Sequence, residues 1–134
     1  MDSPGLMDEK LIILDLDETL VYASDQYLGY DHNFKAGHYF VYVRPYTLQF
    51  IDFCFAHFRV AVWTSSGEAY AKIIVEKLFA VNTNLEFVWS RKRCTQRFDP
   101  ELYEFFHIKE LKKVKRRGFP LEHILMVDDT PKKL

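Results

Sequence analysis

Lys10-Leu11-Ile12-Ile13-Leu14-Asp15-Leu16-Asp17-Glu18-Thr19-Leu20 is an apolar run that stops abruptly at two aspartates, one residue apart. A short apolar run bounded by polar residues reads as a strand buried on both faces of a parallel sheet. In such sheets the chemistry sits in the loops at the carboxyl ends of the strands. Side chains alternate along an extended backbone, so Asp15 and Asp17 are expected to leave the strand on the same side. Two carboxylates held close repel, and one takes up a proton unless a cation joins them. A hard divalent cation with oxygen ligands, Mg²⁺ above all, relieves that conflict. The bland alternative is a strand followed by an acidic turn.

The rest of the chain alternates strands and helices, as an α/β domain does. Tyr22 to Gly37 is rich in Tyr, Asp, Asn and Gly, and no element is assigned to it. His38 to Val43 reads as an aromatic strand, half of a hairpin. Pro45 sits at a helix start, and Thr47 to Phe58 carries apolar residues at helical spacing. Arg59 to Trp63 is a second buried strand, ending at Thr64-Ser65-Ser66-Gly67. A helix from Glu68 to Phe79 has one apolar face, and Glu86 to Trp89 is a third strand. Asp99-Pro100-Glu101 suits either a helix start or a turn between strands. Glu110 to Arg117 reads as a short helix ended by Gly118. Ile124 to Val127 is a fourth strand, again ending in two acids, Asp128 and Asp129.

Composition bounds the possibilities. With 134 residues, 49% hydrophobic and 16% aromatic, the chain can bury one core but hardly two. A net charge of −1 gives no global attraction to nucleic acid or to anionic membrane, and neither is expected as a partner. No apolar run is long enough to span a bilayer, and the acidic start at Met1 to Glu9 lacks the features of a signal peptide. Two cysteines, Cys54 and Cys94, make no disulfide framework, so reduced thiols and an intracellular setting, cytoplasmic or nuclear, are expected. Neither cysteine has an arginine six positions on (Val60 and Pro100 stand there), which excludes the cysteine-based phosphatase pattern. No Gly-rich phosphate loop with Lys-Ser/Thr is present, and the histidines lack zinc-like spacing. The basic cluster Lys112, Lys113, Lys115, Arg116 and Arg117 suits a solvated helix face better than a nucleic-acid patch in so neutral a chain.

Asp15-Leu16-Asp17-Glu18-Thr19 resembles motif I of the haloacid dehalogenase (HAD) superfamily, Asp-x-Asp-x-Thr. The fuller string Asp15 to Val21 resembles one branch of it, the FCP/SCP-type protein phosphatases, also described as NLI-interacting-factor-like or CTD phosphatase-like. The later strand ends resemble the remaining motifs in order. Thr64, followed by Ser65, stands where the family has a Ser or Thr that donates a hydrogen bond to phosphate. Lys109 in His107-Ile108-Lys109-Glu110-Leu111 is similar to the motif III lysine. Val127-Asp128-Asp129-Thr130-Pro131 is similar to motif IV. Arg91 aligns with an arginine that lies before a Ser-Cys pair in the family.

The resemblance implies a HAD-like, Rossmann-type three-layer α/β domain with a central parallel sheet, a small hairpin insertion and no large cap. Residues 1–9 would be a flexible lead and 10–134 a single domain that lacks the strand and helix with which the family continues. An exposed C-terminal edge of that kind would favour self-association. In the implied chemistry Asp15 attacks phosphorus and Asp17 serves as acid and base. Mg²⁺ is bound by Asp15, by the Asp17 main-chain carbonyl and by Asp128 and Asp129, with Asp129 favoured as the direct ligand. Thr64, Ser65 and Lys109 hold phosphate, Arg91 holds substrate, and Thr19 braces the motif I loop. The gaps between motifs leave no room for a cap domain, so the cleft is expected to be open and to suit a phosphoprotein or phosphopeptide. Tyr27, Tyr30, Phe34, Tyr39, Phe40 and Tyr42 are candidates for an apolar wall beside it. A small-molecule phosphatase, or a binding module like the translocase receptor of the same family, is the alternative.

Overall fold

Leu11, Ile12, Ile13 and Leu14 have no polar side chain to present to water, and all four are buried. Packing layers on the two faces of the sheet cover them. The computed structural model describes residues 10–80 and 83–128. In chain order its elements are β1 (Leu11–Leu14), β2 (Val21–Ser24), β3 (Phe34–Ala36), β4 (Tyr39–Val43) and α1 (Thr47–His57). There follow β5 (Arg59–Trp63), α2 (Glu68–Leu78), β6 (Leu85–Trp89), β7 (Thr95–Asp99), β8 (Glu104–Ile108), α3 (Lys112–Lys115) and β9 (Ile124–Val127).

The central sheet has the order β6-β5-β1-β9 and every pairing in it is parallel. It is the α/β architecture expected from the apolar runs, and its central parallel sheet is the one the family resemblance implies. Leu14 is level with Val62 on one side and with Val127 on the other. That register sets the carboxyl ends of β1, β5 and β9 side by side, where polar residues follow each strand. Alternation splits the core into two layers. Ile12, Leu14, Val60 and Val62 pack with Ile51, Ile74 and Leu78 of α1 and α2. Leu11, Ile13, Ala61 and Trp63 pack with Phe87, Trp89, Val114 and Phe119 on the opposite face.

The stretch Tyr22 to Gly37 is more ordered than its composition suggests. It contributes β2 and β3, which flank β4 in a three-stranded antiparallel sheet. These strands are only four and three residues long, and their exposed polar faces hide the period-2 signal. Asp99-Pro100-Glu101 resolves as a turn. The Asp99 carboxylate accepts the Glu101 and Leu102 N–H groups at 2.9 and 3.2 Å, and β7 pairs antiparallel with β8. Gly118 ends the α3 segment at φ +100, a backbone conformation that L side chains rarely adopt.

Ile13→Ala removes a fully buried side chain from the middle strand and is expected to cost roughly 2–5 kcal/mol in urea unfolding. Leu125→Ala on β9, where the side chain is 40% exposed, should cost roughly half that or less because part of its apolar area already meets water. Equal losses would contradict the layer assignment.

Candidate active site

The end of β1 is joined to the end of β9 by the Asp15 N–H, which donates to the Val127 carbonyl at 3.0 Å. The side chain of Asp15 is thereby held beside Asp128 in a region closed to water. Lys109, immediately after β8, fills the space between them. Its side chain is 0% exposed, its Nζ stands 3.2 Å from Asp15 Oδ1, and it donates to Asp128 Oδ2. A fully buried ammonium is costly unless paired, and here two carboxylates pair it. Burial pushes the Asp15 carboxyl up to about 7. Lys109 pulls it back down, and the neighbouring Asp128 pushes it up again.

Two carboxylates and one ammonium are a charge-deficient set. Burial is the main force that drives Asp15 toward protonation, with Asp128 adding to it, and a further positive charge held by hard oxygen donors would oppose both. Among the described residues no group of three or more His, Cys, Asp or Glu side chains is gathered as a metal cage. Mg²⁺ does not need one, since it commonly takes one or two carboxylates and completes its shell with water and phosphate oxygens. The donor set therefore fits that ion. Asp129 lies outside the described residues.

The crowding expected between Asp15 and Asp17 is found instead between Asp15 and Asp128. Asp17 has separate partners. Ser66 Oγ donates to its Oδ2 at 2.6 Å and the Tyr70 hydroxyl to its Oδ1 at 2.5 Å. Burial and the Asp17 carboxylate raise the Tyr70 phenol well above its ordinary value, so it stays a proton donor. Neither Ser66 nor Tyr70 was singled out from the sequence. The only signal was placement: Ser66 lies in the loop after β5, and Tyr70 lies in the first turn of α2.

The loop carrying Asp15 and Asp17 is fixed by its main chain. The Leu16 carbonyl accepts the N–H groups of Leu20, Val21 and Thr19 at 2.8, 3.1 and 3.3 Å. Glu18 is held at φ +65, and the Arg44 guanidinium donates to its carbonyl at 2.5 Å. A non-glycine residue in that region persists only where its surroundings over-determine it. Thr19 contributes its N–H to the loop, but its buried hydroxyl finds no hydrogen-bond partner among the described residues. The bracing expected of that side chain falls to the backbone and Arg44.

Thr64 is 1% exposed and tied to β6 by its N–H, 2.9 Å from the Trp89 carbonyl. Its hydroxyl donates to Ser66 Oγ and accepts the Ser66 N–H, both at 3.1 Å. Thr64, Ser66 and Asp17 thus form one hydrogen-bonded chain. Ser65 offers its carbonyl to Arg91 Nε at 2.9 Å, and the Ser66 carbonyl accepts the Arg91 N–H at 2.8 Å. Arg91 is in this way seated at a cleft of about 270 Å³ that it lines together with Asp17, Tyr39, Ser66 and Tyr70. Of the six aromatic candidates for a wall, Tyr39 alone lines that cleft. Phe34 packs on the core, while Tyr30 rests on Tyr42 and Tyr27 on Phe40.

The chain is similar to several known proteins. A family model described as NLI interacting factor-like phosphatase matches residues 10–134. A CTD phosphatase-like protein of Invertebrate iridescent virus 3 is 32% identical over 88 residues, covering 57% of this chain and 47% of the viral protein. The CTD nuclear envelope phosphatase 1 homolog of Drosophila melanogaster is 27% identical over 106 residues, 68% of this chain and 44% of its own length. The chain spans about half the length of these relatives. The fission yeast RNA polymerase II CTD phosphatase Fcp1, in a structure with bound beryllium fluoride, superposes with a TM-score of 0.70 at 15% identity. That match covers 95% of this chain and 39% of the yeast one. At that identity the likeness is one of fold.

Neither thiol takes part in the carboxylate cluster. Burial pushes the Cys54 thiol up to about 11, so at pH 8 it stays protonated and unreactive. Cys94 is only partly buried. A disulfide reagent at pH 8 should label Cys94 in the folded protein and reach Cys54 only after urea is added. Labelling of both at equal rates without denaturant would contradict the packing around α1.

Proposed function

The chain belongs to the NLI interacting factor-like phosphatase family, and from that premise we propose that it is a Mg²⁺-dependent phosphatase acting through an aspartyl-phosphate on phosphoserine or phosphothreonine in proteins. The observation that carries this reading is the buried set of Asp15, Lys109 and Asp128 at the ends of neighbouring strands. An ionised carboxylate at the mouth of a parallel sheet, fixed through its own N–H, is a positioned nucleophile. Attack by an Asp15 carboxylate oxygen on phosphorus forms the acyl phosphate as the seryl or threonyl oxygen departs. Asp17 gives that oxygen a proton. It later takes one from the water that cleaves the acyl phosphate, restoring Asp15 and releasing inorganic phosphate.

Each remaining side chain has a defined task in this scheme. Ser66 and Tyr70 hold the two oxygens of Asp17 and so fix its direction relative to the departing group. Lys109 keeps Asp15 and Asp128 apart and supplies positive charge next to the transferred phosphoryl. Thr64 and Ser65 shape the loop that meets the phosphate oxygens, and Arg91 offers its fork to the substrate at the rim. Asp15, the Asp17 main-chain carbonyl, Asp128 and Asp129 are the residues that would hold Mg²⁺, whose charge offsets the repulsion between an anionic nucleophile and a phosphate dianion.

Two observations favour a protein substrate over a metabolite. Among the described residues the cleft at Asp17 and Arg91 is bordered by the small β2-β4-β3 sheet and by the loop into α2, with no covering domain. One relative is named a CTD phosphatase-like protein, and a protein of like fold is an RNA polymerase II CTD phosphatase. A purely binding role would use the buried Asp-Lys-Asp cluster only as a structural brace, whereas hydrolysis also employs its carboxylate and its ammonium.

Hydrolysis of a generic aryl phosphate should require Mg²⁺ and should fall to background in Asp15→Asn, which keeps the shape and removes the attacking charge. Asp17→Asn should lose roughly 10²- to 10⁴-fold. Mg²⁺-dependent turnover by pure Asp15→Asn protein would sink the assignment. Tyr70→Phe removes one charge-assisted hydrogen bond to Asp17 and should lower kcat roughly tenfold or more with little change in KM. A change confined to KM would instead assign Tyr70 to substrate binding.

A further inference from the structure

Eight of the 18 Lys and Arg residues fall in two short segments, 91–93 and 112–117, of a chain whose net charge is −1. Taken alone, the second run suits a solvated helix face. The fold joins the two. Lys113 Nζ donates to the Arg93 carbonyl at 2.9 Å, which seats α3 directly against the turn after β6. The Arg93 guanidinium lies 4.7 Å from the ring centroid of Trp89, and that of Arg117 lies 5.7 Å from that of Phe87. Those two rings are themselves stacked at 4.0 Å.

Arg117 stands over the ring of Phe87 and Arg93 over that of Trp89, two residues apart on β6, and Arg91 follows at the cleft. Alternate residues of an extended peptide likewise emerge on one side. Among the described residues β6 pairs only with β5, so the row follows the outer edge of the sheet. Most nearby acids are engaged, Glu110 by Arg97 and Lys112, Glu86 by Arg59 and Glu68 by Lys92, while Glu76 lines the α2 side of the adjoining groove. Lys115 and Arg116 are exposed and make no ion pair among the described residues. A groove of about 440 Å³ between α2 and β6, lined by Val88, Trp89, Lys92 and Arg93, runs on from the residues that border the cleft.

We infer that the row Arg91, Arg93 and Arg117 binds an acidic or additionally phosphorylated segment of the same polypeptide whose target phosphate occupies the cleft. The inference rests on the protein-phosphatase reading above and names the substrate class within it. Charge complementarity identifies the occupant. Guanidinium groups held over aromatic rings are pre-oriented and pair bidentately with carboxylate or phosphate oxygens. Because the row begins at Arg91, the acids it recognises lie on the same chain as the phosphate, within a few residues of it.

Phosphoserine peptides with one common core and a tail of glutamates, serines or lysines, placed on either side of the phosphate, test this by kcat/KM. The glutamate tail should exceed the serine tail by about tenfold at low salt on one side of the phosphate, chiefly through KM, and the advantage should shrink near about 0.5 M salt. Arg93→Gln with Arg117→Gln should bring the two tails to within about twofold. Should that pair fail to fold, Arg93→Gln alone and Arg117→Gln alone should each reduce the same ratio. Equal rates for the glutamate and serine tails, or a ratio the variants leave intact, would overturn the inference. So would salt-dependent binding of a single-stranded oligonucleotide without any glutamate advantage, which would assign the row to nucleic acid. Turnover of aryl phosphate with none of any phosphopeptide would remove the protein-substrate reading first, and this inference with it.

Discussion

A fully buried lysine between two aspartates is the constraint on which the rest of this structure depends. Lys109 cannot be withdrawn from water without Asp15 and Asp128, and those carboxylates cannot share so small a space without Lys109. Satisfying all three requires that β1, β9 and the segment after β8 end at the same level. The parallel register delivers that: Leu14 opposite Val127 brings Asp15 level with Asp128. The apolar cores on either face of the sheet hold the register, so core packing and site geometry are one problem. The cluster holds two carboxylates to one ammonium, and burial with the neighbouring Asp128 keeps the Asp15 carboxyl raised. That imbalance suits a site built to receive both a cation and a phosphate.

The second carboxylate is organised on different terms. Asp17 lies at the border of the cleft and is fixed by two hydroxyls rather than by a charge. The environments of the two aspartates diverge as two roles require: one is buried against an ammonium, the other is reachable and surrounded by groups that donate or accept a proton. The loop between them tolerates a left-handed Glu18 because Arg44 and three main-chain hydrogen bonds to Leu16 leave it no alternative. The basic row along β6 extends the same logic outward, with aromatic rings rather than acids fixing the arginines.

Much of this was legible in the order of residues. The four strands of the central sheet announce themselves as apolar runs, and three of them end in polar residues that the register sets at one edge of the sheet: Asp15, Thr64 and Asp128. What was not legible is non-local. Nothing in the sequence says that Asp15 crowds Asp128 rather than Asp17, because that follows from strand register. Lys109 is marked in the sequence only by its resemblance to motif III, and its burial between two carboxylates emerges once the hairpin before it is folded. Ser66 and Tyr70 reach Asp17 across 49 and 53 residues of chain. β2 and β3 are too short and too polar on one face to show a period. The basic run at 112–117 reads as a solvated face until Lys113 is seen to hold the turn that carries Arg93.

The central claim is that Asp15, held by Lys109 beside Asp128, becomes covalently phosphorylated during turnover. Rapid quenching of the protein during steady-state hydrolysis, followed by borohydride reduction and peptide mass spectrometry, tests it directly, because an acyl phosphate is reduced to homoserine. The account predicts conversion of Asp15 to homoserine in the peptide that contains β1, dependent on substrate and Mg²⁺, with Asp17 and Asp128 unmodified. Turnover with no reduced residue, or with the modification at another position, would contradict it.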